Sequence, residues 1–180
     1  VKGPNVTPGY LHRPDLTRDA FDAEGFYRIG DAGTFADPDH PARGIVFAGR
    51  VAEDFKLSTG TWVHVGSLRL AVMAAAPALQ DALVAGHDRE AVGILAWPNL
   101  QWLREICRDT GGSRPVEDLV REKEVLDHLR NSLTEYNGRQ QGSATRIGRV
   151  LLMAEPPSID ANEITDKGYI NQGAALERRR

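Results

Sequence analysis

The motif Tyr27-Arg28-Ile29-Gly30-Asp31 places a glycine next to a carboxylate, a combination that suits the binding of a sugar. Glycine allows the backbone to approach a ligand closely, and the Asp31 carboxylate can accept hydrogen bonds from both hydroxyls of a vicinal diol. Each such bond contributes about 1.5–3 kcal/mol because the acceptor is charged. An Asx-type turn at a strand end is the simpler alternative when the motif is taken alone.

Two further motifs contain a cation that could meet an anion. Gly49-Arg50 follows a predicted apolar strand, and the planar fork of Arg50 suits phosphate or ribose oxygens. A surface arginine next to a linker fits the same residues. Lys167 lies between Asp166 and Gly168 in a predicted exposed turn, where a solvated lysine is the simpler interpretation. A functional Lys167 would need another domain to supply its anion.

The segment Ser58-Thr59-Gly60-Thr61 has some features of a phosphate-binding loop, which needs several backbone N–H groups converging on one anion. It lacks the glycine and lysine that such a loop requires next, and Trp62 stands where a helix should begin. We therefore predict a hairpin with Gly60 at its bend.

Composition excludes several classes of function. The 180 residues contain 22 Lys and Arg against 25 Asp and Glu, so the net charge of −3 provides no basic surface for nonspecific binding of nucleic acid or an anionic membrane. The longest apolar stretch, Leu70–Leu79, is shorter than the ~20 residues of a membrane span. The five histidines and the single Cys107 show no metal-ligand spacing, so we predict no metal site. Without a predicted signal peptide, we expect a cytoplasmic protein, and the start at Val1 suggests a piece of a longer one.

The first 50 residues are rich in glycine and proline, which favours short strands and loops over long helices. Strands are predicted at Gly25–Gly30 and Gly44–Ala48, separated by the turn signal Asp37-Pro38-Asp39. This part is too small to enclose a core of its own. We therefore expect residues 1–50 to be the β-rich end of a larger domain.

Residues 53–180 are predicted to form a small α+β domain. It opens with a hairpin, Phe55–Leu57 and Thr61–Val65. Periodicity and capping residues predict three helices: Ser67–Ala76, a segment from Asn99 to Gly111-Gly112, and Val116–Tyr136. Apolar runs predict three strands: Ala82–Ala85, Ala91–Trp97 and Arg149–Met153. From Pro156-Pro157 onward we predict an exposed C-terminal segment.

In their order and spacing, these motifs resemble the adenylate-forming superfamily, which includes acyl-CoA synthetases, luciferases and peptide-synthetase adenylation domains. The resemblance spans essentially the whole chain, corresponds to the final third of such an enzyme, and uses four features: Gly3–Tyr10, Tyr27–Asp31, Gly49-Arg50 with Lys56, and a lysine near the C-terminus. More narrowly, three runs are similar to feruloyl-CoA synthetases: Gly49–Val63, Gly86–Arg89 and Glu163–Gln172.

The resemblance implies a domain organisation. Residues 1–50 would be the end of the large N-terminal adenylation domain, residues 51–52 a hinge, and residues 53–180 a small mobile C-terminal α+β domain. The small domain would alternate between two poses, one for each step of the reaction.

The resemblance also implies roles for individual residues. Asp31 would hold the ribose hydroxyls of ATP and acyl-AMP, with Arg50 at the ribose and phosphate and Tyr27 in the same nucleotide site. Lys167 would bridge the α-phosphate and the substrate carboxylate during adenylation. The hairpin with Gly60 would line the channel of the pantetheine thiol of CoA.

The function implied is that of an ATP-dependent, AMP-forming acyl- or aryl-CoA ligase acting on a ferulate-like carboxylic acid. ATP/AMP and CoA would bind, with Mg²⁺ accompanying ATP through its phosphates. The phosphate loop and the acid pocket would lie in the missing part of the large domain, so this fragment alone is predicted to be inactive. Two alternatives stay open: transfer to a carrier-protein thiol, and a non-catalytic nucleotide-binding or interaction module. Separately, exposed apolar surface in residues 1–50 could drive pairing of fragments as a homodimer.

Overall fold

The computed structural model describes residues 1–179 and divides the chain into two compact units, Val1–Ala52 and Glu53–Arg180. Within the described residues no helix is long and apolar enough to cross a membrane. Helices and strands are mixed along the chain, as the predicted α+β class requires.

The first unit contains one short helix and one antiparallel strand pair. Helix α1 spans Pro14–Ala20, and strand β1 (Asp31–Phe35) pairs with strand β2 (Ile45–Arg50). The predicted strand at 44–48 is confirmed with a shift of its ends, but the one at 25–30 is wrong. There the Asp22 side chain accepts hydrogen bonds from the Glu24 and Phe26 N–H groups, which closes a turn in place of an extended strand.

No hydrophobic side chain of residues 1–52 is buried, although the structure describes all of them. Several large ones on the strand pair are more than half exposed, with Ile45 at 71%, Phe47 at 55% and Phe35 at 53%. The expectation that this part cannot enclose a core of its own is confirmed.

The second unit is built on a three-stranded sheet of β5 (Leu79–Ala85), β6 (Val92–Pro98) and β7 (Ile147–Leu152). The central β6 runs antiparallel to β5 and parallel to β7, with Leu95 opposite Leu83 on one side and Leu151 on the other. The remaining elements are β3 (Phe55–Lys56), β4 (Trp62–Val63), α2 (Val65–Ala75), α3 (Leu100–Ile106), α4 (Val116–Leu119), α5 (Lys123–Gly138) and α6 (Gln172–Arg178).

The two faces of the sheet are covered by different elements. Side chains alternate between faces along a strand, so Val84 and Leu83 of β5 belong to separate clusters. Val84 packs in the main core with residues of α2 and α5, whereas Leu83 packs with Trp97, Ile170 and Ala175. The second cluster joins the C-terminal part of the chain to the sheet.

The helix predicted over 116–136 is two helices, α4 and α5, separated by a turn. Glu122 adopts an extended conformation at the start of α5, with ψ at 139°. The break determines which positions of α5 face the core: Val125 is buried, whereas Leu126 is 40% exposed. Periodicity over residues 116–136 therefore predicted that the segment is helical, but it did not predict the turn that separates the two helices.

Helix ends differ from the predictions where contacts distant in sequence decide them. Helix α2 begins at Val65, two residues before the predicted cap Ser67, because Asp54 accepts a hydrogen bond of 2.9 Å from the Val65 N–H. In α3 the predicted cap is confirmed, since Asn99 Oδ1 accepts from the Trp102 N–H at 3.1 Å. This helix ends at Ile106, before the predicted glycines, because Arg108 adopts a positive φ of 54°.

Candidate functional site

Asp31 and Arg50 are direct cross-strand partners in the pair formed by β1 and β2. The Arg50 Nη1 atom lies 2.8 Å from Asp31 Oδ1, and both side chains retain solvent access, at 31% for Asp31 and 59% for Arg50. Each follows a glycine with positive φ, Gly30 at 76° and Gly49 at 114°. A side chain at either glycine would be strained. The pair therefore offers a carboxylate and a guanidinium side by side, which suits a diol next to a phosphate.

Tyr27 is half-buried and is held by contacts within the first unit. Its hydroxyl lies 3.0 Å from that of Tyr10, and this hydrogen bond raises the pKa of Tyr27. The Tyr27 ring packs against Phe21 with ring centroids 5.3 Å apart. The structure therefore brings Asp31 and Arg50 together, while the Tyr27 hydroxyl is engaged with Tyr10.

Lys167 lies at the tip of a small hairpin in the second unit. The hairpin is closed by an antiparallel bridge between Ile164 and Ile170 and by a turn in which the Gly168 N–H donates to the Thr165 carbonyl at 2.9 Å. Gly168 has a φ of 80°, a conformation that side chains rarely adopt. Lys167 is exposed, as the sequence predicted, and the base of its hairpin is buried at Ile170.

Glu163, directly before this hairpin, is fully buried and was missed by the sequence analysis. Its carboxylate accepts hydrogen bonds from the Ser158 N–H at 2.7 Å, from Arg178 Nη1 at 2.7 Å, and from Arg179 Nε at 2.5 Å and Nη2 at 3.0 Å. These bonds, above all that from Arg179, lower the pKa of Glu163 to about 2. The carboxylate is therefore ionised at neutral pH.

The C-terminal part of the chain was predicted to be an exposed segment, and this prediction is wrong. The segment includes α6, which has buried residues on one side. Gln172 of this helix donates from Nε2 to the Val84 carbonyl at 3.1 Å and accepts from the Val84 N–H at 3.2 Å. Its amide thus covers the outer edge of β5 as a strand would. The seven residues of α6 mix polar and small side chains and show no apolar periodicity, so no helix was predicted here. A helix this short is held mainly by tertiary contacts.

The hairpin around Gly60 is confirmed, and it is not a phosphate loop. Strands β3 and β4 pair with Phe55 opposite Val63, and Gly60 turns the chain with a φ of 81°. Lys56 Nζ lies 5.0 Å from the centre of the exposed Trp62 ring. The backbone at Gly60 is open, and Lys56 lies over the Trp62 ring in the same hairpin. This surface is suited to contact with an extended polar ligand.

The described residues contain no group of histidine, cysteine, aspartate and glutamate arranged to hold a metal ion. Cys107 packs in the cluster around Leu103, and burial raises the pKa of its thiol. A partly buried thiol with a raised pKa is a poor nucleophile at neutral pH, so Cys107 contributes to packing.

No family model matches the chain. It is 27% identical over 173 residues to the chloroplastic long-chain fatty acid acyl-carrier-protein ligase AEE15 of Arabidopsis thaliana, a match that covers 92% of this chain and 22% of that protein. It is 30% identical over 168 residues to human long-chain fatty acid CoA ligase 1, covering 92% of this chain and 23% of the relative. The chain thus spans about a quarter of the length of the curated relatives it matches.

The fold is shared with a solved adenylation domain. The A domain of carboxylic acid reductase from Segniliparus rugosus, determined in complex with AMP and a co-purified carboxylic acid, superposes with a TM-score of 0.73. Sequence identity is 23%, and the match covers 98% of this chain and 26% of that one. This likeness establishes a common fold over nearly all of the chain.

Proposed function

We propose that this chain is the C-terminal portion of an ATP-dependent, AMP-forming acid–thiol ligase. Support comes from its similarity to relatives that are named as acyl-carrier-protein and CoA ligases. The observation that carries the proposal is the Asp31–Arg50 pair, a carboxylate and a guanidinium held side by side by strand register. ATP and AMP combine a ribose diol with phosphate, the ligand chemistry that this pair suits.

The proposed reaction has two steps with different requirements. First, an oxygen of the substrate carboxylate attacks the α-phosphate of ATP, and pyrophosphate leaves with the electron pair of the broken P–O bond. Second, a thiol loses its proton and attacks the acyl carbonyl, and AMP leaves. The first step joins two anions, so a cation is needed where negative charge accumulates. We assign this role to the ammonium group of Lys167.

The other residues are assigned by the same reasoning. Asp31 accepts hydrogen bonds from the ribose hydroxyls, Arg50 contacts the ribose or phosphate oxygens, and Tyr27 belongs to the same nucleotide site. Gly60 and its hairpin line the path of the thiol in the second step, and residues 51–52 serve as the hinge between the two poses. Mg²⁺ enters with the phosphates of ATP, since phosphate and water oxygens satisfy it without a protein cage.

The proposed acid is an aromatic one of the ferulate type, and the proposed acceptor is CoA. Support for the acid comes from the similarity of Gly49–Val63 and Glu163–Gln172 to feruloyl-CoA synthetases. A second acceptor is a carrier-protein thiol, which the relative AEE15 favours because it is named as an acyl-carrier-protein ligase. The two acceptors share the adenylation step and differ only in the thiol.

The test is acid-dependent exchange of pyrophosphate into ATP by the full-length protein that contains this chain, with ferulate, coumarate, benzoate and a medium-chain fatty acid. Lys167→Ala should reduce exchange by about 10²–10³-fold and largely spare thioester formation from supplied acyl-AMP. Lys123→Ala is the matched control, because this exposed lysine pairs with Asp127 on α5, and it should exchange like wild type.

Each outcome decides between the candidates. Exchange with ferulate that disappears in Lys167→Ala supports the enzyme, the acid and the lysine together. Exchange with the fatty acid only keeps the ligase and removes the ferulate-type acid. No exchange with any acid would leave a non-catalytic nucleotide-binding module, and equal loss of both steps in Lys167→Ala would make this lysine structural.

A further inference from the structure

Glu163 is connected through the main chain to the base of the hairpin that carries Lys167. Its carbonyl accepts a hydrogen bond of 2.9 Å from the Asn171 N–H, so Glu163 and Asn171 form the pair next to the Ile164–Ile170 bridge. Asn171 also caps helix α6, since its Oδ1 accepts from the Ala174 N–H at 3.3 Å. The second strand of the hairpin therefore continues into α6. This helix contains Arg178 and is followed directly by Arg179, the two arginines that bind Glu163.

The arginines that hold Glu163 are themselves fixed to the domain. Arg179 is 5% exposed, lies 5.3 Å from the centre of the Trp97 ring, and donates to the Pro156 carbonyl at 3.1 Å. Trp97 is a buried residue of β6 and donates from Nε1 to the Glu155 carbonyl at 2.8 Å. The carboxylate is thus linked to the central strand of the sheet through a rigid planar group.

Stability alone does not explain a charged group at this position. Taking a carboxylate and a guanidinium out of water carries a desolvation penalty that often cancels their attraction, and apolar residues of similar volume would serve as well. The guanidinium groups of Arg178 and Arg179 instead fix the position of Glu163. All four hydrogen bonds to its carboxylate can form in only one placement of the side chain.

We propose that Glu163 is a positioning residue for the adenylation step: through Arg178 and Arg179 it fixes the base of the hairpin, so that Lys167 is presented to the α-phosphate in one orientation. This inference rests on the role proposed above for Lys167. The tip of the hairpin is exposed, so its orientation is set at the base, where the Glu163–Asn171 pair lies next to the buried Ile170. Because two guanidinium groups surround the carboxylate, Glu163 acts through geometry and not through its field at the lysine.

The test compares Glu163→Gln with Glu155→Gln in the full-length protein. Both changes remove one carboxylate that contacts Arg178, but Glu155 is 62% exposed and bonds this arginine from the solvent side. Glu163→Gln should lower kcat of pyrophosphate exchange about 10- to 100-fold, the cost of misplacing a catalytic group by about 1 Å. The KM for ATP and thioester formation from supplied acyl-AMP should stay near wild type, because neither depends on Lys167.

A second measurement, amide hydrogen exchange, reports on the hairpin itself. The Gly168 and Tyr169 N–H groups, which donate to Thr165, should exchange faster in Glu163→Gln than in Glu155→Gln. Wild-type catalysis in Glu163→Gln, or equal loss in both half-reactions, would overturn the inference. If Glu163→Gln does not fold, Arg179→Lys, which keeps the charge and removes the fork, is measured against the same criteria.

Failure of this inference is distinguishable from failure of the proposed function. If wild-type protein shows no exchange, the proposed function fails. If wild-type protein exchanges and Lys167→Ala retains exchange, the role of Lys167 fails, and this inference fails with it, while the ligase function stands. If Lys167→Ala loses exchange while both the Glu163→Gln and Arg179→Lys variants keep it, the lysine stands and Glu163 is only a structural residue.

Discussion

The Asp31–Arg50 ion pair has a consequence for nucleotide binding that neither residue has alone. In the proposed nucleotide site, a ribose diol would compete with the Arg50 guanidinium for Asp31 Oδ1, so part of the binding free energy would be used to rearrange the pair. The pair is solvent-accessible, and such ion pairs contribute at most about 1 kcal/mol to stability. Substitutions here should therefore change affinity without unfolding the protein.

Replacing Asp31 by alanine in the full-length protein should weaken binding of AMP about 10- to 100-fold. The variant lacks the carboxylate that is proposed to accept a hydrogen bond from each ribose hydroxyl. Isothermal titration calorimetry measures this directly. Asp39→Ala is the control, since Asp39 is an exposed carboxylate in the connection between β1 and β2. Equal affinity in wild type and Asp31→Ala would remove Asp31 from the ribose site.

Residue types predicted part of this site, and tertiary contacts determined the rest. The glycine-then-charge pattern identified Asp31 and Arg50, but the strand before Asp31 was misplaced, so their register could not be predicted. Glu163 looked like an ordinary acidic residue in a polar segment. Its burial depends on Arg178 of α6 and on Arg179, the residue that follows this helix, and no local pattern predicted the helix.

Among the elements, those with strong apolar runs were predicted well and those held by distant contacts were not. Strand β6 is almost continuously apolar, as a buried strand is, and it was predicted nearly in full. Only the apolar second half of β5 was predicted, because Gln80 and Asp81 interrupt the pattern in its first half. Helix α6 has seven residues and two buried ones, too few for a periodic signal. The position of the break between α4 and α5 depends on packing, because both helices contribute to the cluster around Leu103.

Helix α6 contacts the sheet through the packing of Ala175 and through the two hydrogen bonds of Gln172, and a substitution at Gln172 tests the second contact. Gln172→Leu keeps the size of the side chain but leaves the Val84 N–H and carbonyl without their partner in a buried site. The free energy of unfolding should fall by about 2–4 kcal/mol, measured by urea denaturation. Gln101→Leu on the exposed face of α3 should change it by less than about 0.5 kcal/mol, and a similar loss in both variants would contradict the role of Gln172.

At the scale of the whole molecule, the two units differ in what stabilises them. Among residues 1–179, every buried hydrophobic residue lies between Phe55 and Ala175, and none lies in the first unit. Hydrophobic burial is the main favourable contribution to folding, so the second unit has the means to fold alone and the first does not.

The two units, expressed separately as residues 1–52 and 53–180, should therefore behave differently on heating. We expect residues 53–180 to show a cooperative thermal transition by circular dichroism and residues 1–52 to show none. A cooperative transition in 1–52 would mean that its strand pair is stable without burial. A missing transition in 53–180 would mean that its core depends on the rest of the chain.

The hydrogen bond between Gln172 and Val84 joins residues 88 positions apart in the sequence. This separation determines the order in which the two parts become available for folding during synthesis. Strand β5 leaves the ribosome long before the segment that completes its outer edge, so the sheet can assemble from β5, β6 and β7 while α6 does not yet exist. The hairpin of Lys167 then docks onto a surface that is already formed. In the proposed enzyme, Lys167 would reach its working position only after the sheet is complete, so a nascent chain with an intact sheet and an undocked hairpin would not catalyse adenylation.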